Sequence, residues 1–272
     1  MPAWTDGSAR REGQPSRAGA RAQGMLILSD DDVRAAVPMA LAVDVNAAAF
    51  TALEDGSAQC PDRAILSAAG GPTLFKPSCI PPDVPGAPEA LGLKVVSVRA
   101  ANAQAGLPTV PATMLMIDAV TGLPSAVLAA TWLTALRTAA GSAVATRALA
   151  PLETRNLVVF GAGMQAEAHI TAMLCVRPCI ANVAIVNRGR PRAQALAGTV
   201  AAAHPAVAVE ALTLDDVSGV QRVCRVADLI CATTNSSTPL WDGGWMKPGT
   251  HVNAIGSCAH SRAYHTRNDM AP

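Results

Sequence analysis

The chain has 272 residues, 50% of them hydrophobic, and its 21 basic and 20 acidic side chains leave a net charge of about +1. That length and apolar content supply one large or two modest cores. The balanced charge and the 3% aromatic content argue against nucleic acid or a membrane surface as partner, because neither a strong field nor a base-stacking platform is present.

Residues 1–24 carry Arg, Gly, Ser and Pro without an apolar core segment. They are expected to form a disordered tail, not a secretory signal. Asp6 and Glu12 weigh against a mitochondrial presequence. No stretch has the length of a membrane span, and the Ala-rich run at 126–150 is interrupted by Arg137 and Arg147. The seven cysteines show no CxxC pairing, so reduced, mostly buried thiols in a cytoplasmic protein are expected, with no metal site.

Order is expected from Met25. Met25–Leu28 forms a strand, and Ser29 caps a helix with Asp30–Asp32 in its first turn, running to about Leu53. A turn then leads to a strand with Arg63. The segment "GGPTLFKPSCIPPDVPGAPEA" is Pro-rich and is expected to be irregular. "LGLKVVSVRA" alternates as a strand around Lys94, and two further strands flank the turn at Thr121-Gly122. In "TWLTALRTAAGSAVATRALA", Leu133, Leu136, Ala140, Val144 and Leu149 recur at helical spacing, and Pro151 closes the helix. From there strands ("NLVVF", "VAIVN", "VAVEAL", "ADLICATT", "HVNAIG") alternate with helices at 164–176, 191–203 and from "LDDV". That rhythm predicts a parallel sheet with right-handed crossovers.

Gly161-x-Gly163-x-x-Ala166 follows a hydrophobic strand and opens a helix. The first glycine permits a tight turn. The second leaves room for a pyrophosphate, and Ala166 lets the helix approach the sheet. The free N–H groups of the helix start, around Ala162, Met164 and Gln165, face the phosphates. The second strand ends at Asn187-Arg188 where an NAD site usually holds Asp or Glu. NADP(H) is therefore the favoured cofactor, with Arg188 receiving the 2′-phosphate, and NAD(H) the other possibility. Thr233, at the end of a later strand, lies on the edge that lines the ligand crevice in such a sheet.

Lys94 supports two readings, a lysine snorkelling at a sheet edge or a proton donor to a bound imine or amino acid. Arg63 is similarly open. Arg137 interrupts an apolar helical face, and its guanidinium fork suits a carboxylate.

The strings "LGLKVVS", "GLPTVPAT", "TWLTALRTAAGSAVATRAL", "VVFGAGMQAEAHI", "NRGRPRAQALA", "ATTNSSTPL" and "WMKPGTHVNAIGS" resemble the ornithine cyclodeaminase/mu-crystallin family from about Met25 to Ser257. The resemblance implies an α/β protein: a Rossmann-type parallel-sheet nucleotide domain (151–257) plus an N-terminal α+β substrate and dimerisation domain (25–130), joined by a bridging helix (131–150). It implies a homodimer acting on a small amino or imino acid. Arg63 and Arg137 match the carboxylate arginines, and Lys94 the catalytic or substrate-contacting lysine. Gly161, Gly163, Met164 and Gln165 match the pyrophosphate loop, Asn187 and Arg188 the ribose-phosphate segment, and Thr233 and Asn253 strand ends around the cofactor. The activity implied is NAD(P)H-dependent reduction of a cyclic imino acid, or related amino-acid oxidoreduction. Ornithine cyclodeamination and an inactive nucleotide-binding paralogue are the alternatives. Two departures stand out. Ala129-Ala130 replaces the Asp-Gly that often precedes the bridging helix. After "HVNAIGS" the family usually presents an aspartate and several more elements, whereas here Cys258 opens an atypical tail (258–272) in which His260 and His265 are expected to be incidental. A chain so shortened is expected to leave a sheet edge uncovered.

Overall fold

The computed structural model describes residues 24–84, 86 and 88–256. The expectations for residues 1–23 and 257–272 lie outside the described residues. The N-terminal half contains β1 (Leu26–Leu28), α1 (Asp30–Ala36), α2 (Met39–Glu54), β2 (Ala64–Ala68), β3 (Gly71–Ile80), β4 (Ala90–Ser97), β5 (Ala112–Ile117) and β6 (Pro124–Ala129). Its six strands form one mixed sheet in the order β1-β6-β5-β4-β3-β2, antiparallel except where β1 joins β6. The long helix α3 (Thr131–Leu149) follows. The C-terminal half contains β7 (Asn156–Phe160), α4 (Met164–Val176), β8 (Asn182–Asn187), α5 (Arg190–Ala203), β9 (Ala208–Thr213), α6 (Val217–Val226), β10 (Leu229–Ala232) and β11 (His251–Ala254). These five strands are all parallel, in the order β11-β10-β7-β8-β9. The chain order reverses between β7 and β10, and in a doubly wound sheet ligands bind at that reversal.

The structure corrects four expectations. The helix drawn from Ser29 to Leu53 is two helices meeting at 86°. Pro38 has no N–H to continue the ladder, and it forces Val37 out of helical geometry (φ −121°, ψ 89°). The segment expected to be irregular contains β3, ten residues long. Its Pro77 is tolerated because β2 pairs only with Gly71–Phe75, so Pro77 lies beyond that ladder. α3 is buried on several sides, not one: Trp132, Ala135, Leu136, Ala139, Ala140 and Ala143 are all enclosed, while Leu149 points to solvent. Among the six described cysteines only Cys224 and Cys231 are buried, and burial pushes each thiol up to about 12.

The parallel sheet is apolar on both faces. Val159, Ile185 and Cys231 face α3, α4 and α5. Val158, Phe160 and Ile230 face α6 and Trp241, whose ring stacks on Phe160 at 4.7 Å. Each such side chain, fully enclosed, contributes about 1.5–3 kcal/mol. Among the described residues no single helix is long and apolar enough to cross a membrane.

α3 is fixed at both ends and along its length. Ala130 offers no side-chain cap, and Asp30 of α1 supplies one by accepting from Trp132 N at 3.1 Å. Arg34 lies over the Trp132 ring at 3.6 Å. At the other end Arg177 is buried against the last carbonyls of the helix. Midway, Ser142 meets His169 of α4 and Thr146 meets Met173.

His169 is fully buried. Its Nδ1–H donates to the Gln165 carbonyl at 2.7 Å and its Nε2 accepts from the Ser142 hydroxyl at 3.1 Å. That is a neutral imidazole. Burial pushes its pKa down to about 4, against the opposing pull of the Gln165 carbonyl. The folded value lies below the unfolded one, so the unfolded chain binds the extra proton first. Stability from this group is full above about pH 6.5 and falls as pH drops through about 4, by roughly 3 kcal/mol in all. Urea unfolding between pH 7 and 4 is expected to show this loss, and a His169→Gln variant is expected to flatten that part of the curve.

Candidate active site

The register of the first sheet assembles a row of cations. Lys76 on β3 lies opposite Lys94 on β4, and Lys94 lies opposite Met114 on β5. Arg63 immediately precedes β2, and its charge acts on Lys76. With a two-residue period, this row shares its face with Leu74, Val96 and Ala112. That face packs against Leu133 of α3, and Arg137 comes one helical turn later. Four positive side chains from β3, β4, α3 and the approach to β2 thus converge.

Their mutual effect is marked at Lys94. Burial, then the charges of Arg137 and Lys76, push its pKa down to about 7. Lys76 is lowered in the same way by burial, Arg137 and Arg63, with the Cys60 thiol acting in the opposite sense. Arg137 is open to solvent over part of its length, but the protein packed around the guanidinium lowers its proton affinity too. Arg63 is exposed at the rim. No carboxylate among the described residues offsets Lys76 or Lys94. A half-buried cluster of cations without a counter-charge is built for an anion.

The second cluster is the turn after β7. Gly161 has φ +113°, and a Cβ there would lie 2.5 Å from Thr233 Oγ1. Only glycine fits. Thr233 closes the turn from the end of β10, donating from both N (2.9 Å) and Oγ1 (2.8 Å) to the Phe160 carbonyl. Gly163 precedes the first turn of α4 with open space where a side chain would stand. Ala166 is completely enclosed against the sheet, and Gln165 Oε1 is buried with no partner. Free helix N–H groups, an open approach at Gly163 and an orphaned acceptor fit a dinucleotide diphosphate and its hydroxyls.

The two clusters meet along α3. Ser142 pairs with His169 and Thr146 with Met173, each 27 residues apart. α3 and α4 therefore run parallel, in register. One turn back, the same offset brings Thr138 level with Gln165, and Arg137 to the height of the first residues of α4. The arginine of the cation cluster is thus level with the helix start that the glycine turn opens.

The other expected site residues are more scattered. Asn187 closes β8 with its Nδ2 donating to the Gly189 carbonyl at 2.9 Å, and Arg188 is exposed. Asn253 is buried under α3, its Nδ2 donating to Thr146 Oγ1 at 2.8 Å. Lys76 was not expected. Its signal was a lysine inside an apolar run, in phase with Lys94, but Pro77 beside it hid the strand.

A family model, the ornithine cyclodeaminase/mu-crystallin family, matches residues 24–268. The chain belongs to that family. It is 32% identical to an uncharacterized cyclodeaminase of Dictyostelium discoideum, over 80% of this chain and 65% of that protein. Among solved structures it is similar to the Delta(1)-pyrroline-2-carboxylate reductase of Thermococcus litoralis in complex with NADH and L-proline. That likeness has 30% identity, a TM-score of 0.78, and covers 85% of this chain and 69% of that one. An archaeal alanine dehydrogenase dimer with bound NAD is similar at 27% identity and a TM-score of 0.74, covering 85% and 67%. The chain spans about two thirds of the length of the relatives it matches.

These relatives correct the expected preference for NADP(H): their solved forms hold NADH or NAD. The physical reason lies in the β8 turn. A 2′-phosphate needs a guanidinium held in place, and no hydrogen bond or ion pair among the described residues orients Arg188. Asn187 spends its amide N–H on the turn and leaves Oδ1 free to accept from a ribose hydroxyl, the part a carboxylate usually takes.

Proposed function

We propose that the chain uses NAD(H) to reduce the C=N bond of a cyclic imino acid, and to oxidise the corresponding amino acid in reverse. One observation carries this reading: the parallel register of α3 and α4 brings Arg137, a member of the cation cluster, level with the start of the glycine-turn helix. Arg63 and Arg137 hold the substrate carboxylate, with Arg137 offering a planar fork. Lys94 is poised to protonate the imine nitrogen, since a pKa of about 7 matches a proton donor working near neutrality. Bound NADH supplies the hydride. Gly161, Ala162, Gly163, Met164 and Gln165 receive the diphosphate, and Asn187 and Thr233 flank the nucleoside. Residues 25–130 form the substrate part, 131–150 the bridge and 151–257 the nucleotide part. We further propose pairing of two copies through the first sheet. Its edge strand β2 is exposed throughout, Ile65 and Leu66 included, and the similar alanine dehydrogenase is a dimer.

The test uses the full chain. NADH fluorescence titration is expected to show binding, and NADH consumption is expected with Delta(1)-pyrroline-2-carboxylate or its six-membered analogue. NADH binding without reduction of any cyclic imino acid would sink the reductase reading. Gly161→Ala is expected to weaken NADH binding more than about tenfold, since the added methyl meets Thr233 and the backbone φ is unsuited to it.

A further inference from the structure

We infer that Lys76 is a specificity-determining residue, and that the substrate carries a second carboxylate on the portion facing β3. This inference rests on the proposed carboxylate site and names the substrate class within it.

The geometry leads there directly. Lys76 and Lys94 are cross-strand partners on one face of the sheet, so their ammonium groups enter the same space. The charges of Arg63, just before β2, and of Arg137, one turn after Leu133 on α3, both act on Lys76. The rest of the row is apolar: Met114 follows Lys94, and Leu128 follows Met114. A single carboxylate held by two arginines leaves Lys76 half-buried without a counter-charge. Like charges directly opposite on a sheet are destabilising, and no described acid relieves them. A substrate that brings a second negative charge to the Lys76 end would balance the row, while the Met114–Leu128 end would suit only its carbon skeleton. Burial first, and the neighbouring cations second, lower the proton affinities of Lys76 and Lys94, and the second part is what an anion would relieve.

The experiment measures binding to the full chain saturated with NADH, using succinate as the dianion and butyrate as its singly charged counterpart. Succinate is expected to bind at least about tenfold tighter. Lys76→Met is expected to bring the two affinities within about threefold of each other. Lys76→Arg is expected to restore the preference, which a merely structural role would not do. In the oxidative direction, piperidine-2,6-dicarboxylate, a cyclic amino acid with two carboxylates, is expected to exceed L-proline in kcat/KM, and Lys76→Met to lower that preference chiefly through KM. Equal affinities in the unmodified chain, or a preference unmoved by Lys76→Met, would overturn the inference while leaving the imine reductase reading intact. If neither acid bound to a chain that binds NADH, the carboxylate site beneath both readings would fall. The unmodified chain alone decides the first comparison, so a variant that fails to fold does not protect the proposal.

Discussion

Replacing Lys94 with methionine is expected to lower kcat/KM for imine reduction by about 10²–10⁴-fold, with NADH affinity changed less than about threefold. Methionine keeps the length and the contact with Met114 but cannot deliver a proton. Lys94→Arg separates the two possible roles of the lysine. An arginine keeps the positive charge but does not release a proton near neutrality. If Lys94 serves only to attract the carboxylate, Lys94→Arg retains most of the rate. If it protonates the imine, kcat collapses while KM stays near its original value. The pH profile carries the same information. Burial and the charges of Arg137 and Lys76 hold Lys94 near 7, so its protonated form fades as pH rises through that value. Reduction is expected to slow above about pH 7 and oxidation to gain over the same range. Arg137, Lys76, Arg63 and the Cys60 thiol are the charged or titratable groups that face this cluster. Removing one cation, by Lys76→Met, is expected to move the midpoint upward. A profile that ignores that substitution would show that the titrating group is not Lys94.

The second half of the chain was the more legible because parallel strands buried on both faces announce themselves as uninterrupted apolar runs. "NLVVF", "VAIVN" and "LICA" are strands β7, β8 and β10, and the glycine turn falls where the run into a helix required. The first half hides more, since its proline residues act through their neighbours. Pro38 breaks a helix whose apolar pattern continues past it, whereas Pro77 sits inside a strand because the adjacent ladder has already ended. No single-residue preference separates those cases. The Ala-rich bridge misleads in another way. A helix packed against α2, α4 and the first sheet is enclosed on several sides through its middle, so its period says little about direction. At the site, Arg137 and the glycine turn could be named from composition and order. Lys76 could not, because its meaning arises only when β3 pairs with β4. The same holds for Arg177, which no motif marks.

Arg177→Ala is expected to destabilise the fold by about 3–5 kcal/mol, comparable to unpairing a buried charged network. Arg177 is 4% exposed and has no carboxylate partner among the described residues. Its counter-charge is the end of α3. Nη2 donates to the carbonyls of Thr146 (2.7 Å), Arg147 (3.2 Å) and Ala150 (2.8 Å), and Nε donates to that of Pro151 (3.0 Å). The carbonyls of Arg147 and Ala150 are ones that a helix terminus leaves unpaired, at the negative end of the helix dipole, while that of Thr146 also accepts from Ala150 N and that of Pro151 from Thr154 Oγ1. Alanine would remove all of these charge-assisted bonds and leave the buried Ala150 carbonyl without a partner, which alone costs about 1–3 kcal/mol. An Arg177→Lys variant would offer one ammonium where the guanidinium reaches several directions, so a partial loss is expected. The consequence extends beyond stability, because α3 carries Arg137 and sets its height against α4 through Ser142 and Thr146. If the helix end loosens, Arg137 loses its register with the glycine turn. Denaturant unfolding is expected to rank the native chain above Arg177→Lys and that above Arg177→Ala. At temperatures where Arg177→Ala is still folded, its KM for the imino acid is expected to rise more than its Kd for NADH. Equal stability of Arg177→Ala and the native chain would mean that the end of α3 is held by something other than this guanidinium.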